Sequence, residues 1–338
     1  MPHPVIALLI LGLSLSSPLA AAEQVNLYSA RQETLIKPLL DRFAAQSGIK
    51  VNLVSAKDDA LIKRLESEGR NSPADLLLTA DAGRLHRARE LGLLAPVQSE
   101  ILDQRIPASY RDPEGRWFGL SLRARPILYV RGKVDPAELS TYSALADPRW
   151  KGRICIRSSD NIYNQSLVAA MIATRGEAET EAWARGLVAN FARPPQGGDR
   201  DQIKAAAAGQ CDIAIANTYY LAAMLNDDAA AERDSAAKLG VYWPDQDGRG
   251  VHVNVSGIAL TTAARNTAQA RKLMEFLVSD EAQRWYAETN HEYPVVAGIE
   301  PSDTLNAWGT FKPDDLNLSE LGRHNAEAVR LMDRVGWK

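Results

Sequence analysis

Three of the ten tyrosines stand where chemistry could use them. Tyr219 and Tyr220 directly follow Asp212 to Asn217, a run alternating on Ile213 and Ile215 that reads as a strand. They therefore sit at a strand's carboxyl end, where an α/β unit presents groups to ligands. Tyr163 lies likewise a few residues after the strand-like Arg153 to Ile156 and just before a helix opening at Asn164. A phenol there has two uses: its ring is a stacking wall, or its oxygen, once deprotonated, is a ligand for a hard metal ion. The residues alone leave both uses open. Other chemistries lack carriers, because no phosphate loop with GK[ST], no HExxH and no GxSxG is present, and neither cysteine has a CxxC partner. Five histidines, His3, His86, His252 and His291 among them, show no metal-ligand spacing, which disfavours zinc and copper.

The elements that must position these tyrosines follow from hydrophobic periodicity. Gln24 to Ser29 reads as a strand, and Glu33 to Ala45 as a helix with Leu35, Leu39, Leu40 and Phe43 on one face, ended by Gly48. Ile49 to Val54 is a second strand, Asp58 to Glu68 a second helix on Leu61, Ile62 and Leu65, and Ala74 to Thr79 a third strand. This βαβαβ run with short connections predicts a mostly parallel sheet covered by helices. A second α/β block follows Arg123, with helices over Asn164 to Thr174 and Asp201 to Ala208. Val251 to Leu260 is strand-rich, Ala268 to Trp285 reads as one helix, and Leu318 to Val335 as another, so the chain crosses back between two blocks.

A length of 338 residues with 46% hydrophobic content exceeds what one ordinary core serves, which again argues for two lobes. The formal charge of −3, with Lys and Arg dispersed, offers no footprint for nucleic acid or an anionic bilayer. Residues 1–22 read as a signal peptide: Val5 to Leu15 is apolar but too short to span a bilayer, and Ala20 and Ala22 suit the peptidase, although no Lys or Arg precedes the apolar run. The mature chain then begins near Glu23. An exported compartment permits Cys155 and Cys211 to pair as a disulfide, the alternative being two buried thiols.

Longer stretches carry a resemblance. Tyr28-Ser29-Ala30-Arg31-Gln32, Arg157 to Leu167, Pro195 to Gln202, Cys211 to Tyr220, His291 to Pro294 and Trp308 to Phe311 together resemble the bacterial ferric-ion-binding proteins of ABC iron importers, over essentially the whole mature chain. The resemblance implies that Tyr163, Tyr219 and Tyr220 bind Fe³⁺. The physics agrees, since three phenolates neutralise three charges and the ion displaces protons from phenols of ordinary pKa about 10. Relatives carry His or His-Tyr where this chain has Gln32 and Glu33, or a Glu near Ala80, and those ligands are missing here. The chain instead resembles the subgroup with Arg31, Gln32 and Arg123 at the matching positions, in which a carbonate-like anion completes the coordination and these three residues hold it. Glu33 as a direct ligand is the weaker option.

The expected architecture is the two-lobed periplasmic binding fold, type II, with two hinge strands and a cleft between the lobes. Lobe one takes residues 23–122 plus 247–297, and lobe two 123–246 plus 298–338. The expected function is a monomeric periplasmic carrier of Fe³⁺ for an inner-membrane ABC permease, and not an enzyme. Two other readings stay in view: a binding protein for a small organic ion, with the tyrosines as stacking walls, and an exported metal-dependent hydrolase, for which no general base stands beside the tyrosines.

Overall fold

A computed structural model describes residues 23–338, so the proposed leader 1–22 lies outside the described residues. The first strands and helices form where the pattern places them. Strand β1 is Gln24–Ser29, followed by the helix Glu33–Ser47, strand β2 (Lys50–Ser55), the helix Asp58–Glu68 and strand β3 (Leu76–Ala80). Gly48 ends the first helix in the left-handed region at φ 73°, where its N–H donates back to the carbonyl of Ala44. That helix buries Ile36, Leu39, Leu40 and Phe43, so Ile36 rather than Leu35 completes its inner face. The remaining strands are β4 (Leu94–Ala95), β5 (Phe118–Ala124), β6 (Ile127–Val130), β7 (Ile154–Cys155), β8 (Ile213–Ile215), β9 (Leu239–Tyr242), β10 (Val253–Thr261) and β11 (Tyr293–Pro294).

They make two sheets. The larger has the order β11-β5-β10-β3-β1-β2, with β4 also paired to β10, and the smaller has the order β7-β8-β6-β9. The chain passes between them twice, from β5 to β6 and from β9 to β10. These returns correct the expectation of a mostly parallel sheet. β1 pairs in parallel with β2 and β3, but β10 enters from the other sheet and runs antiparallel to β3, β4 and β5, and β11 runs antiparallel to β5. In the smaller sheet only β7 and β8 are parallel.

Two long helices expected near the C-terminus are each divided. Ala268 to Trp285 becomes Thr267–Phe276 and Asp280–Thr289, because the Ser279 hydroxyl accepts from the N–H of Ala282 and starts a new helix. Leu318 to Val335 becomes Ser319–Arg323 and Asn325–Arg334, broken at His324. The last helix packs on Ile162–Arg175, and Trp337 is fully buried against Trp183 and Phe191. Among the described residues no helix is long and apolar enough to cross a membrane.

Strand β5 carries the irregularity that matters most. Ser121 pairs with Ser256 of β10 and Gly119 with Gly257, so Leu120 is an extra, bulged residue. Its carbonyl is satisfied by the side-chain amide of Gln283 at 2.8 Å. Gly257 is obligatory at the bulge, since a Cβ there would lie 2.6 Å from Leu85 and 2.8 Å from the Phe118 carbonyl. Beyond the bulge, Ser121 and Arg123 share one face of β5 with Ser256 and Asn254 opposite them.

Cys155 and Cys211 form a disulfide with their Cα atoms 5.9 Å apart, 56 residues apart in sequence. Unreduced, denatured protein is therefore expected to show no titratable thiol. Replacing both cysteines by serine should lower stability by about 4 kcal/mol on the loop-entropy account, read by urea unfolding. Two titratable thiols per chain would refute the bridge.

Candidate metal centre

Tyr163 and Tyr219 meet because β7 and β8 are adjacent parallel strands whose carboxyl ends each lead into a helix. Tyr163 is the second residue of Ile162–Arg175, while Tyr219 and Tyr220 are the second and third of Thr218–Leu225. Two helix N-termini, each carrying partial positive charge, thus face the phenols. The Tyr219 hydroxyl donates to that of Tyr163 at 3.3 Å, and the rings of Tyr219 and Tyr220 lie 4.2 Å apart. All three side chains are half-buried. Burial pushes the Tyr219 phenol well above its ordinary range, the other two tyrosines add to the rise, and Arg123 opposes it. Tyr220 is raised too, chiefly by burial, with Arg157 opposing. Without a cation the Tyr219 and Tyr220 oxygens therefore stay protonated. Among the described residues no group of three or more His, Cys, Asp or Glu side chains is placed to hold a metal ion.

Beneath the tyrosines lies a buried charge network. Arg125 donates to Asp199 and Asn217, both at 3.0 Å, and to Asn164 at 2.6 Å; Arg157 donates to the other oxygen of Asp199 at 2.6 Å. Asn164 and Asn217 are next to Tyr163 and one turn-start before Tyr219, so the network fixes both helix starts. Asn217 precedes the helix Thr218–Leu225 without capping it, because its side-chain oxygen is taken by Arg125. Ser158 takes part through its carbonyl, which accepts from Asn164.

Arg123 is almost fully buried, and its guanidinium lies 5.2 Å from the Tyr219 ring centroid. Its Nη2 donates to Glu292 at 2.9 Å and to the Ser256 hydroxyl. Arg31, just past β1, donates to the other Glu292 oxygen at 2.5 Å and to Ser121 at 2.8 Å, and Ser121 donates to Glu292. Burial alone would raise the Glu292 carboxyl, but Arg31 and Arg123 outweigh it and hold it below the usual range. The structure thus brings Arg31 and Arg123 together around Glu292. Gln32 and Glu33 are exposed at the start of the first helix, and Gln32 makes no side-chain bond to that helix. Asp81, after β3, ties the two halves: it accepts from Ser166, one turn beyond Tyr163, at 2.8 Å and from Asn254 of β10 at 2.8 Å. It holds a left-handed φ of 82° while fully buried, a strain that these bonds offset.

Residues 71–312 match the family described as bacterial extracellular solute-binding protein. The chain belongs to that family. This solute-binding protein is 50% identical to iron uptake protein A1 of Synechocystis sp. over 316 residues, which cover 94% of the chain and 88% of that protein. It is also similar to a Trichodesmium structure in complex with iron and citrate ligands, at 52% identity and a TM-score of 0.91 over 93% of this chain and 100% of the other. The open form of a Mannheimia haemolytica ferric iron-binding protein is 43% identical with a TM-score of 0.87, covering 94% of this chain and 99% of that one.

Sequence reasoning missed Glu292, Asp199, Arg125 and Asp81 as members of the site. Glu292 and Asp199 stood inside stretches that carried the family resemblance, which was the available signal, while nothing local marked the other two.

Because Asp199 is the shared partner of two arginines, one of them fully buried, Asp199→Ala should cost about 3–5 kcal/mol in urea unfolding. A cost below about 1 kcal/mol would show that the network does not hold the helix starts.

Proposed function

We propose that this solute-binding protein carries one Fe³⁺, bound by the phenolates of Tyr163, Tyr219 and Tyr220 in a cleft between lobes 23–122 plus 247–297 and 123–246 plus 298–338, and delivers it in the periplasm to an inner-membrane ABC permease. The observation that carries this is that three tyrosines stand in the first turns of two neighbouring helices, with a 3.3 Å contact between two of their hydroxyls and a third ring packed 4.2 Å from that of Tyr219. A hard trivalent cation suits such oxygens, and three phenolates cancel its charge. The iron-uptake and iron-binding relatives support the cargo.

Three phenolates leave an Fe³⁺ ion short of six ligands. A small oxyanion of the carbonate kind fills the remainder, held by the Arg31 and Arg123 guanidiniums with Gln32 at its edge. The unspent donors support this: Nε of Arg31 and of Arg123 are both buried without an acceptor. The Trichodesmium relative was solved with citrate as well as iron, so citrate is the competing anion to test.

Changing Tyr219 or Tyr220 to Phe should lower Fe³⁺ affinity by orders of magnitude and remove most of the phenolate-to-iron absorption, with Tyr163→Phe behaving alike and the fold intact. Wild-type colour in all three variants would sink the assignment. Arg31→Ala should weaken iron binding in a way that excess bicarbonate partly restores; affinity indifferent to bicarbonate in both proteins would point to closure by Glu33 or water. The pH dependence has a definite sign. Phenols that are raised and protonated in the free protein must release protons when iron binds, so affinity should fall as pH falls, with more than one proton taken up per iron released. Potentiometry during iron release at constant pH measures that number.

A further inference from the structure

We propose that Glu292 sets the charge of the anion pocket by holding both of its arginines, so that it competes with the bound anion for them; this rests on the iron-and-anion reading above. Strand pairing delivers the carboxylate to its place. β11 pairs with β5 so that Tyr293 faces Leu122, which puts Glu292 beside Arg123, 169 residues away in sequence, and Arg31 reaches the same carboxylate from the end of β1. The carboxylate is nearly fully buried and takes one donor from each guanidinium and one from Ser121. Each arginine keeps a buried Nε without an acceptor. The pair is therefore half used: it holds an internal anion and retains donors for an external one.

Charge then gives the direction of the effect. Arg31, Arg123 and Glu292 together carry one positive charge, and without Glu292 the two guanidiniums would carry two. A bound anion is attracted more strongly by the second state than by the first. Glu292 also orients both guanidiniums, since its two oxygens fix one Nη2 each. It acts on the bound anion through the arginines, which makes it a positioning residue with a directional signature: removing this carboxylate should tighten anion binding.

The test titrates bicarbonate into mature protein in carbonate-free buffer at fixed Fe³⁺, reading the phenolate-to-iron band. Glu292→Gln is expected to reach half of its full band at about tenfold less bicarbonate than wild type, a change of about 1.4 kcal/mol, with the band position unchanged. An unchanged or increased bicarbonate requirement, or a shifted band showing Glu292 to be an iron ligand, would overturn the proposal. A purely structural role would lower the amplitude through unfolded protein without moving the half-point, which also overturns it. Should Glu292→Gln fail to fold, Glu292→Asp decides, because it keeps the charge but draws it back by one methylene: a lowered requirement supports the proposal and any other result overturns it. A wild-type protein that develops no band with iron and bicarbonate overturns the iron reading and this one together, whereas a normal wild-type titration with an unresponsive variant overturns this one alone.

Discussion

Everything in the site answers to one electrostatic constraint. Phenols gathered in a half-buried cluster resist ionisation, because burial and each other's charge raise them, and positive charge nearby works against that resistance. The fold supplies it from three sources: the N-termini of Ile162–Arg175 and Thr218–Leu225, the Arg157 guanidinium 5.9 Å from the Tyr163 ring, and Arg123 over Tyr219. Those arginines are themselves too buried to stand alone. Each is tied to a carboxylate, Asp199 on one side and Glu292 on the other, and this is why the site has two charge networks rather than a scatter of basic residues.

The part of this that local sequence carries was legible. Alternation and helical spacing placed β1, β2, β3 and their helices within a residue or two, and placed β8 just before Tyr219 and Tyr220. The pairing of Cys155 with Cys211 was expected from compartment and strand signals, and the structure shows the bridge. What escaped was non-local. Nothing near Arg125 or Asp81 announces a partner, because their partners lie 74 and 85 residues away in sequence and meet them only through sheet order. The antiparallel β10 was misjudged for the same reason, since strand direction depends on where the chain has been between visits to the sheet. The divided C-terminal helices are a different failure: Ser279 is a strong cap inside an otherwise continuous apolar pattern, and the cap won over the periodicity.

The bulge at Leu120 reconciles two demands on one strand. Before it the fully buried Phe118 pairs with Ile258, whereas after it Ser121 and Arg123 pair with Ser256 and Asn254 and meet the charge cluster. A regular strand would keep one alternation phase throughout, and a shift of one residue sends every side chain to the opposite face. Inserting the extra residue lets the phase change in mid-strand while Gln283 occupies the carbonyl left unpaired.

The disulfide has a consequence for how two of the phenols find one another. Along the chain Tyr163 and Tyr219 are 56 residues apart, but Tyr163 lies eight residues beyond Cys155 and Tyr219 eight residues beyond Cys211. Once the bridge has formed, the covalent path between the two phenols is about a third as long, through the sulfur atoms rather than around the intervening helices. The logarithmic cost of closing a loop makes that shortcut worth about 1 kcal/mol in bringing the pair together. The bridge thus gives even the unfolded chain a short tether between the two phenols that meet in the folded site.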